Sequence, residues 1–389
     1  MYIRWTWLMT AVIFISFISL AHGQSVIIRK GINLPKDSLT QALLINSLNG
    51  LLAQKEQPAA ANEFLLKEEI LATAVLLDEL KGMGQNAGLK DNDFYKCYLG
   101  NAVKLDEDNF ILQISYIGMT ENIPVLRGSF KILAKRGKDK FYFYAPLKQN
   151  TASWKTRKIN NTTYHFKDTL YMACVKEYEK YLAFYNSKLH TPGSPAEFYY
   201  CDNFTEAQQL AGIDYIMDYN GVKNNQLTAR QNNTDLLLNG WTANPYRFDP
   251  HDMWHDRLRT VLANDVINRP VDEGCAYLYG GSWGLTWDEV LGSFKTYAAN
   301  NPNADWQMLY LDLKNFTDGD KPLKAAYVIN ALIVQEIEKE KGFQAVLELL
   351  GCGKREKGDA NYFAALEKIT GVKRSDFNRY ASKLISAAL

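Results

Sequence analysis

Apolar positions in this chain follow two periods, and the chain changes structure where one gives way to the other. Over residues 38–84 they recur at spacings of three and four, as in Leu43, Leu44, Leu48, Leu51 and Leu52, and again from Phe64 through Leu76, Leu77 and Leu80. That spacing puts them on one helical face, so the segment is expected to be helical until Gly82, Gly84 and Gly88 break it. From Phe94 to about Phe166 the period falls to two. Short runs rich in Tyr, Phe and Ile (FYKCYLG, FILQISYIG, RGSFKILAKRG, KFYFYAP, TTYHF) are separated by turn residues, the pattern of an antiparallel meander. A helix is expected over 168–188, with Asp168 near its start. A break at His190-Thr-Pro-Gly-Ser-Pro195 follows, then a strand over Glu197–Cys201, a short helix over Thr205–Ala211 and two or three strands to about Leu238. From Pro250 onward the pattern is almost wholly helical.

Segregated strands and helices of this kind predict the α+β class. We place a domain boundary near residue 166. It separates an N-terminal α/β module over 24–166, built of helix and antiparallel sheet, from a domain over 167–389 with a small sheet and a helical C-terminal half.

Residues 1–23 have the pattern of a signal peptide. Arg4 supplies the positive start, Trp5 to Leu20 an uncharged apolar stretch, and Ala21-His22-Gly23 the small residues of a cleavage site, leaving Gln24 first. The stretch is shorter than the ~20 residues of a spanning helix, and no cysteine follows it to carry a lipid. The expectation is a secreted or periplasmic protein with no stable membrane insertion after cleavage. In such a compartment Cys97, Cys174, Cys201, Cys275 and Cys352 could pair, although five is an odd number.

Composition then narrows the function. The 389 residues carry 44 Lys+Arg against 43 Asp+Glu, and phosphate recognition needs a basic surplus, so a nucleic-acid partner is not expected. The 23 Tyr, 18 Phe and 8 Trp argue for a folded chain.

One stretch carries chemistry: Asp249-Pro250-His251-Asp252-Met253-Trp254-His255-Asp256. Asp249 suits a helix N-cap and Pro250 the first helical position. His251 and His255, four apart, then project from one face and can share one Zn²⁺ at ~2.0–2.1 Å. A catalytic site needs a third protein ligand. Glu273, in Val271-Asp272-Glu273-Gly274-Cys275-Ala276-Tyr277, is the natural candidate, and the small Gly274 and Ala276 would let its helix approach the first.

These paired segments resemble a gluzincin metallopeptidase, in which HExxH on one helix is followed by a Glu on the next, and more narrowly the bacterial peptidase MA-like domain. The likeness spans about 168–389. It includes Ala326-Tyr327-Val328 opening a long helix that ends at Lys341-Gly342-Phe343, and a closing segment from Phe363 to Gly371. The resemblance implies a zinc-dependent hydrolase of peptide or protein substrates. His251, His255 and Glu273 would be the metal ligands, Asp252 the general base, and Tyr327 the hydroxyl that stabilises the oxyanion, with Tyr277 and Tyr279 competing for that role. Leu258 and Val261 stand where a metzincin would continue its motif with Gly and His. The departure from the pattern is Asp at 252 in place of Glu. It is one methylene shorter, which puts turnover in question and leaves a binding module on a peptidase fold as the alternative.

Other acids near the motif are Asp256, Asp272 and Glu289. Each could orient a ligand imidazole, but a solvated helix face is the favoured expectation for each. Gly280-Gly281-Ser282-Trp283-Gly284 is read as the loop that ends the Glu273 helix. His165 and His190 have no partner pattern.

Overall fold

The computed structural model describes residues 25–217, 226–241 and 248–388, and residues 1–24, with the signal-peptide pattern, lie outside them. The described chain forms two compact units, one running to Lys148 and joined by a later segment from Ala211, the other containing the rest.

The first unit runs β1 (Ile27–Ile28), α1 (Ser38–Ala53), α2 (Ile70–Leu80), β2 (Lys96–Lys104), β3 (Asn109–Thr120), β4 (Ile123–Arg136) and β5 (Phe141–Tyr144). The α1 helix starts where Asp37 caps it, its carboxylate accepting the Thr40 N–H at 2.8 Å. Strands β2 to β5 form the expected antiparallel meander, and β1 adds to β2 in parallel. Period-two patterning buries Phe110, Leu112, Ile114 and Tyr116 of β3 on one face. Two hydroxyls fasten the helices to the β5 end of this sheet: Ser47 accepts the Phe141 N–H and Thr73 the Ala145 N–H.

A single turn, α3 (Leu147–Asn150), precedes β6 (Lys155–Ile159), β7 (Thr162–Phe166), α4 (Met172–Lys188), β8 (Ala196–Tyr200), α5 (Phe204–Ala211), β9 (Ile213–Ile216), β10 (Gln226–Gln231) and β11 (Thr234–Asn239). Here the structure corrects the expected organisation. The β6–β7 hairpin is not the end of the meander. It belongs to a second sheet of order β10-β11-β8-β7-β6, whereas β9 crosses back to pair with β4 of the first. The division therefore falls near residue 148 instead of 166, and 24–166 is not one module. The reason is physical: period two says that a segment is a strand and which face it buries, but not which sheet accepts it. Strand β7 runs through α4 into parallel β8, a crossover unit, and Tyr164 of β7 packs edge-on against Tyr178 of α4. The α4 helix itself begins at Met172, four residues after the expected start at Asp168.

Eight helices complete the second unit: α6 (Pro250–Leu258), α7 (Arg269–Gly280), α8 (Trp287–Asn300), α9 (Trp306–Leu311), α10 (Ala325–Lys341), α11 (Phe343–Leu350), α12 (Ala360–Thr370) and α13 (Phe377–Ala388). The molecule is thus α+β. Residues Ala325 to Val334 of α10 are all buried, making it the axis of the helical core. No helix among the described residues is long and apolar enough to cross a membrane. All five cysteines are free thiols, four of them buried.

Candidate metal centre

The α6 helix begins as the sequence dictates. The Asp249 carboxylate accepts the His251 N–H at 2.9 Å, and Pro250 occupies the first turn. Its hold on the core comes from Trp254, fully buried, and from Arg257, whose guanidinium pairs with Asp235 of β11 at 2.9 Å. The Tyr185 hydroxyl of α4 adds a bond to the Pro250 carbonyl at 2.9 Å. The histidine-bearing helix is therefore anchored by contacts that its imidazoles do not themselves make.

The α7 helix crosses close to α6 at Gly280, where an added Cβ would stand 2.6 Å from the His251 nitrogen and 2.7 Å from the Pro250 carbonyl carbon. Gly274 has a different role from the expected one. A Cβ there would meet Asn330 and Ala331 at 2.6 and 3.0 Å, so it allows α7 to pack on α10, not on α6.

This packing brings His251, His255 and Glu273 together, with one ligand atom from each lying within 4.8 Å of the others. The two Nε2 atoms are 3.2 Å apart, and Glu273 Oε2 is 3.5 Å from His251 Nε2. Ligands ~2.0–2.1 Å from a tetrahedral ion stand roughly 3.3 Å from one another, close to these two separations, and two imidazoles with a carboxylate are a donor set that suits Zn²⁺.

The other nitrogens are also committed. His251 Nδ1 donates to the Gly281 carbonyl at 2.7 Å, and His255 Nδ1 donates to Asp272 Oδ1 at 2.9 Å. With both Nδ1 atoms acting as donors, the Nε2 atoms are the ones left to face the shared space between the rings, where a metal ion would take the place of any proton they carry. Asp272 also accepts from Trp254 Nε1 at 3.0 Å, which locks its carboxylate in the buried interface. Glu273 Oε1 pairs with Arg269, one turn earlier on α7, at 3.2 Å.

Electrostatics couple His251 to Glu273. Burial alone would lower the His251 pKa, but the hydrogen bond and charge of Glu273, aided by Asp249, raise it to about 9. Burial pulls the Glu273 carboxyl upward, yet His251, His255 and Arg269 bring it down to about 2. The pocket therefore favours a carboxylate facing a positive charge.

Asp252 lies in the first turn of α6, half-buried, outside the converging group. Its charge, second to burial, helps push the Asp249 carboxyl up to about 6. Tyr327, in the first turn of α10, stacks edge-on against Tyr277 with centroids 5.4 Å apart and hydrogen-bonds Arg269. Tyr277 in turn stands 5.9 Å from the His251 ring. Tyr279 points elsewhere and donates to Glu338 at 2.8 Å, an acid that also pairs with Lys188.

Of the three further acids, only Asp272 reaches an imidazole. Asp256 pairs with Arg259, and Glu289 closes a capping box with Thr286 at the start of α8. His165 stacks on Tyr199 and bonds Glu197 on the second sheet. Two contributors escaped the sequence reading: Arg269, and the carbonyl of Gly281. The signal for Gly281 was present in the glycine pair that ends α7, since its φ of +78° is one a glycine adopts freely.

In comparison with known proteins, no family model and no curated sequence matches this chain.

Proposed function

We propose that the protein is a secreted, zinc-dependent hydrolase of peptide bonds, of the gluzincin kind. The observation that carries this reading is the grouping of His251, His255 and Glu273, with one ligand atom from each within 4.8 Å of the others, while both Nδ1 atoms are held from behind. A bound Zn²⁺ supplies Lewis acidity toward a carbonyl and makes water nucleophilic at neutral pH. The chain's own residues do the rest. Asp252 accepts the proton of the attacking water and returns it to the leaving amine. Asp272 and Gly281 keep the imidazoles in the ligating tautomer, and Arg269 pairs with Glu273 Oε1 and helps to orient it. Tyr327 or Tyr277, both next to the ligands, offers a hydroxyl to the developing oxyanion.

The shorter side chain of Asp252 favours a second reading, a binding protein that keeps the metal site without turnover. The two are separated by metal analysis and protease assay together. The first expects near-stoichiometric zinc in protein purified without chelator, chelator-sensitive cleavage of casein, and loss of both in His251→Ala. Zinc without cleavage supports the second reading, and a protein that never holds zinc sinks both.

A further inference from the structure

Beside Glu273 and Tyr327 the surface opens into a cavity of about 720 Å³ whose lining includes Arg269, Lys324, Arg355, Glu356 and Lys357. Four cationic side chains thus face one acidic one. The cations belong to three separate segments: the start of α7, the cap of α10 and the loop before α12. Only part of their charge is compensated. Arg269 meets Glu273, a carboxylate that the proposed ion would neutralise. Arg355 faces the buried Asp359 at 3.7 Å and also donates to the Leu311 carbonyl. Lys324 directs its ammonium to the carbonyl of Leu313 at 3.2 Å, which carries no charge, and Lys357 is exposed. The 17-residue α10 also begins here, with no side-chain cap on its first turn, so its positive end adds to the same field.

The position of this cavity gives it a role. Arg269 and Tyr327 line it and hydrogen-bond each other, and Arg269 touches a metal ligand. A substrate lying across the metal would therefore place a neighbouring group in it.

We infer that this basic cavity is a specificity subsite that receives a carboxylate of the substrate, either an acidic side chain or a free C-terminus. The inference rests on the peptide-hydrolase reading for the identity of the ligand, but its test does not require turnover.

The test uses three fluorescent peptides on one neutral scaffold. The first carries a Glu and an amidated C-terminus, the second has no acidic residue and a free C-terminus, and the third has neither carboxylate. Their dissociation constants are measured against the purified protein, Lys357→Glu and Lys357→Arg. At least one carboxylate peptide should bind about 10-fold more tightly than the neutral one, and which one does so identifies the source of the carboxylate. Lys357→Glu should erase most of that preference without changing affinity for the neutral peptide, and Lys357→Arg should keep it. Lys324→Gln gives an independent second reduction. Equal affinities for all three peptides, or a preference untouched by Lys357→Glu, overturns the inference. Failure of the hydrolase reading shows elsewhere, in zinc content and casein cleavage.

Discussion

His255 and Asp272 are joined from Nδ1 to Oδ1 at 2.9 Å across the α6–α7 interface, and the same carboxylate oxygen also accepts the Trp254 indole N–H. One buried acid thus orients a proposed metal ligand and anchors the helix that carries it. Replacing it should affect both properties. We predict that Asp272→Asn lowers zinc affinity about 10–100-fold, the usual cost of losing an outer partner of a ligating histidine. Competition with a calibrated chelator measures this, and unchanged zinc retention would remove Asp272 from the site.

The proton on His251 predicts opposite pH trends for the metal-free and metal-bound protein. Its folded pKa of about 9 lies above the ordinary histidine value. The metal-free protein therefore has this contribution in full below about pH 6.5 and loses it as the pH rises through 9. Zinc needs the Nε2 lone pair that the proton occupies. Its affinity should rise about tenfold per pH unit from pH 6.5 to about 9 and then level off. Zinc titrations across that range, with proton release read from buffers of different ionisation enthalpy, test the trend. A flat affinity would count against it.

Asp252 separates chemistry from metal binding. Asp252→Asn should leave zinc content unchanged and lower any peptidase activity by about 10²–10⁴-fold, the range for a lost general base. Asp252→Glu restores the missing methylene and should raise activity if proton transfer limits the rate. Equal activity in all three proteins would exclude residue 252 as the base.

Gly280 links the fold to the site. A methyl at this position would sit 2.6 Å from the His251 nitrogen, against backbone that cannot swing away. Gly280→Ala should destabilise the second unit by about 1–3 kcal/mol as an overpacked contact, and should weaken zinc binding because it displaces His251. Urea unfolding and a zinc titration report the two effects. Gly292→Ala, where nothing lies within 4 Å of an added Cβ, is the control and should cause neither.

Local geometry accounts for what was legible in the chain. Asp249 and Pro250 start a helix because a carboxylate can accept an early N–H and because proline has no N–H to lose. That start fixes His251 and His255 on one face, since 100° per residue returns after four. The α+β class, the β2–β5 meander and α10 from Ala325 to Lys341 follow from periods of the same short range. Glu273 was found by its spacing from the histidines, without the geometry that turns it toward them.

Tertiary packing decided everything that joins segments far apart in sequence. Alternation made strands of β6 and β7, but the place of β7 beside β8, with β6 on its other side, depends on pairing with residues more than thirty positions later. Asp272, Asp256 and Glu289 look alike as acids near a motif; burial against α6 selects Asp272, while the others meet Arg259 and Thr286. The Gly281 carbonyl has no side-chain signature at all, and only the close approach of α7 at Gly280 puts it under His251 Nδ1. The sequence by itself determined which side chains could ligate a metal, because that depends on chemical type and helical pitch. Only the folded chain decided which nitrogen each imidazole presents and which carboxylate faces it, because those depend on contacts between helices that no local pattern encodes.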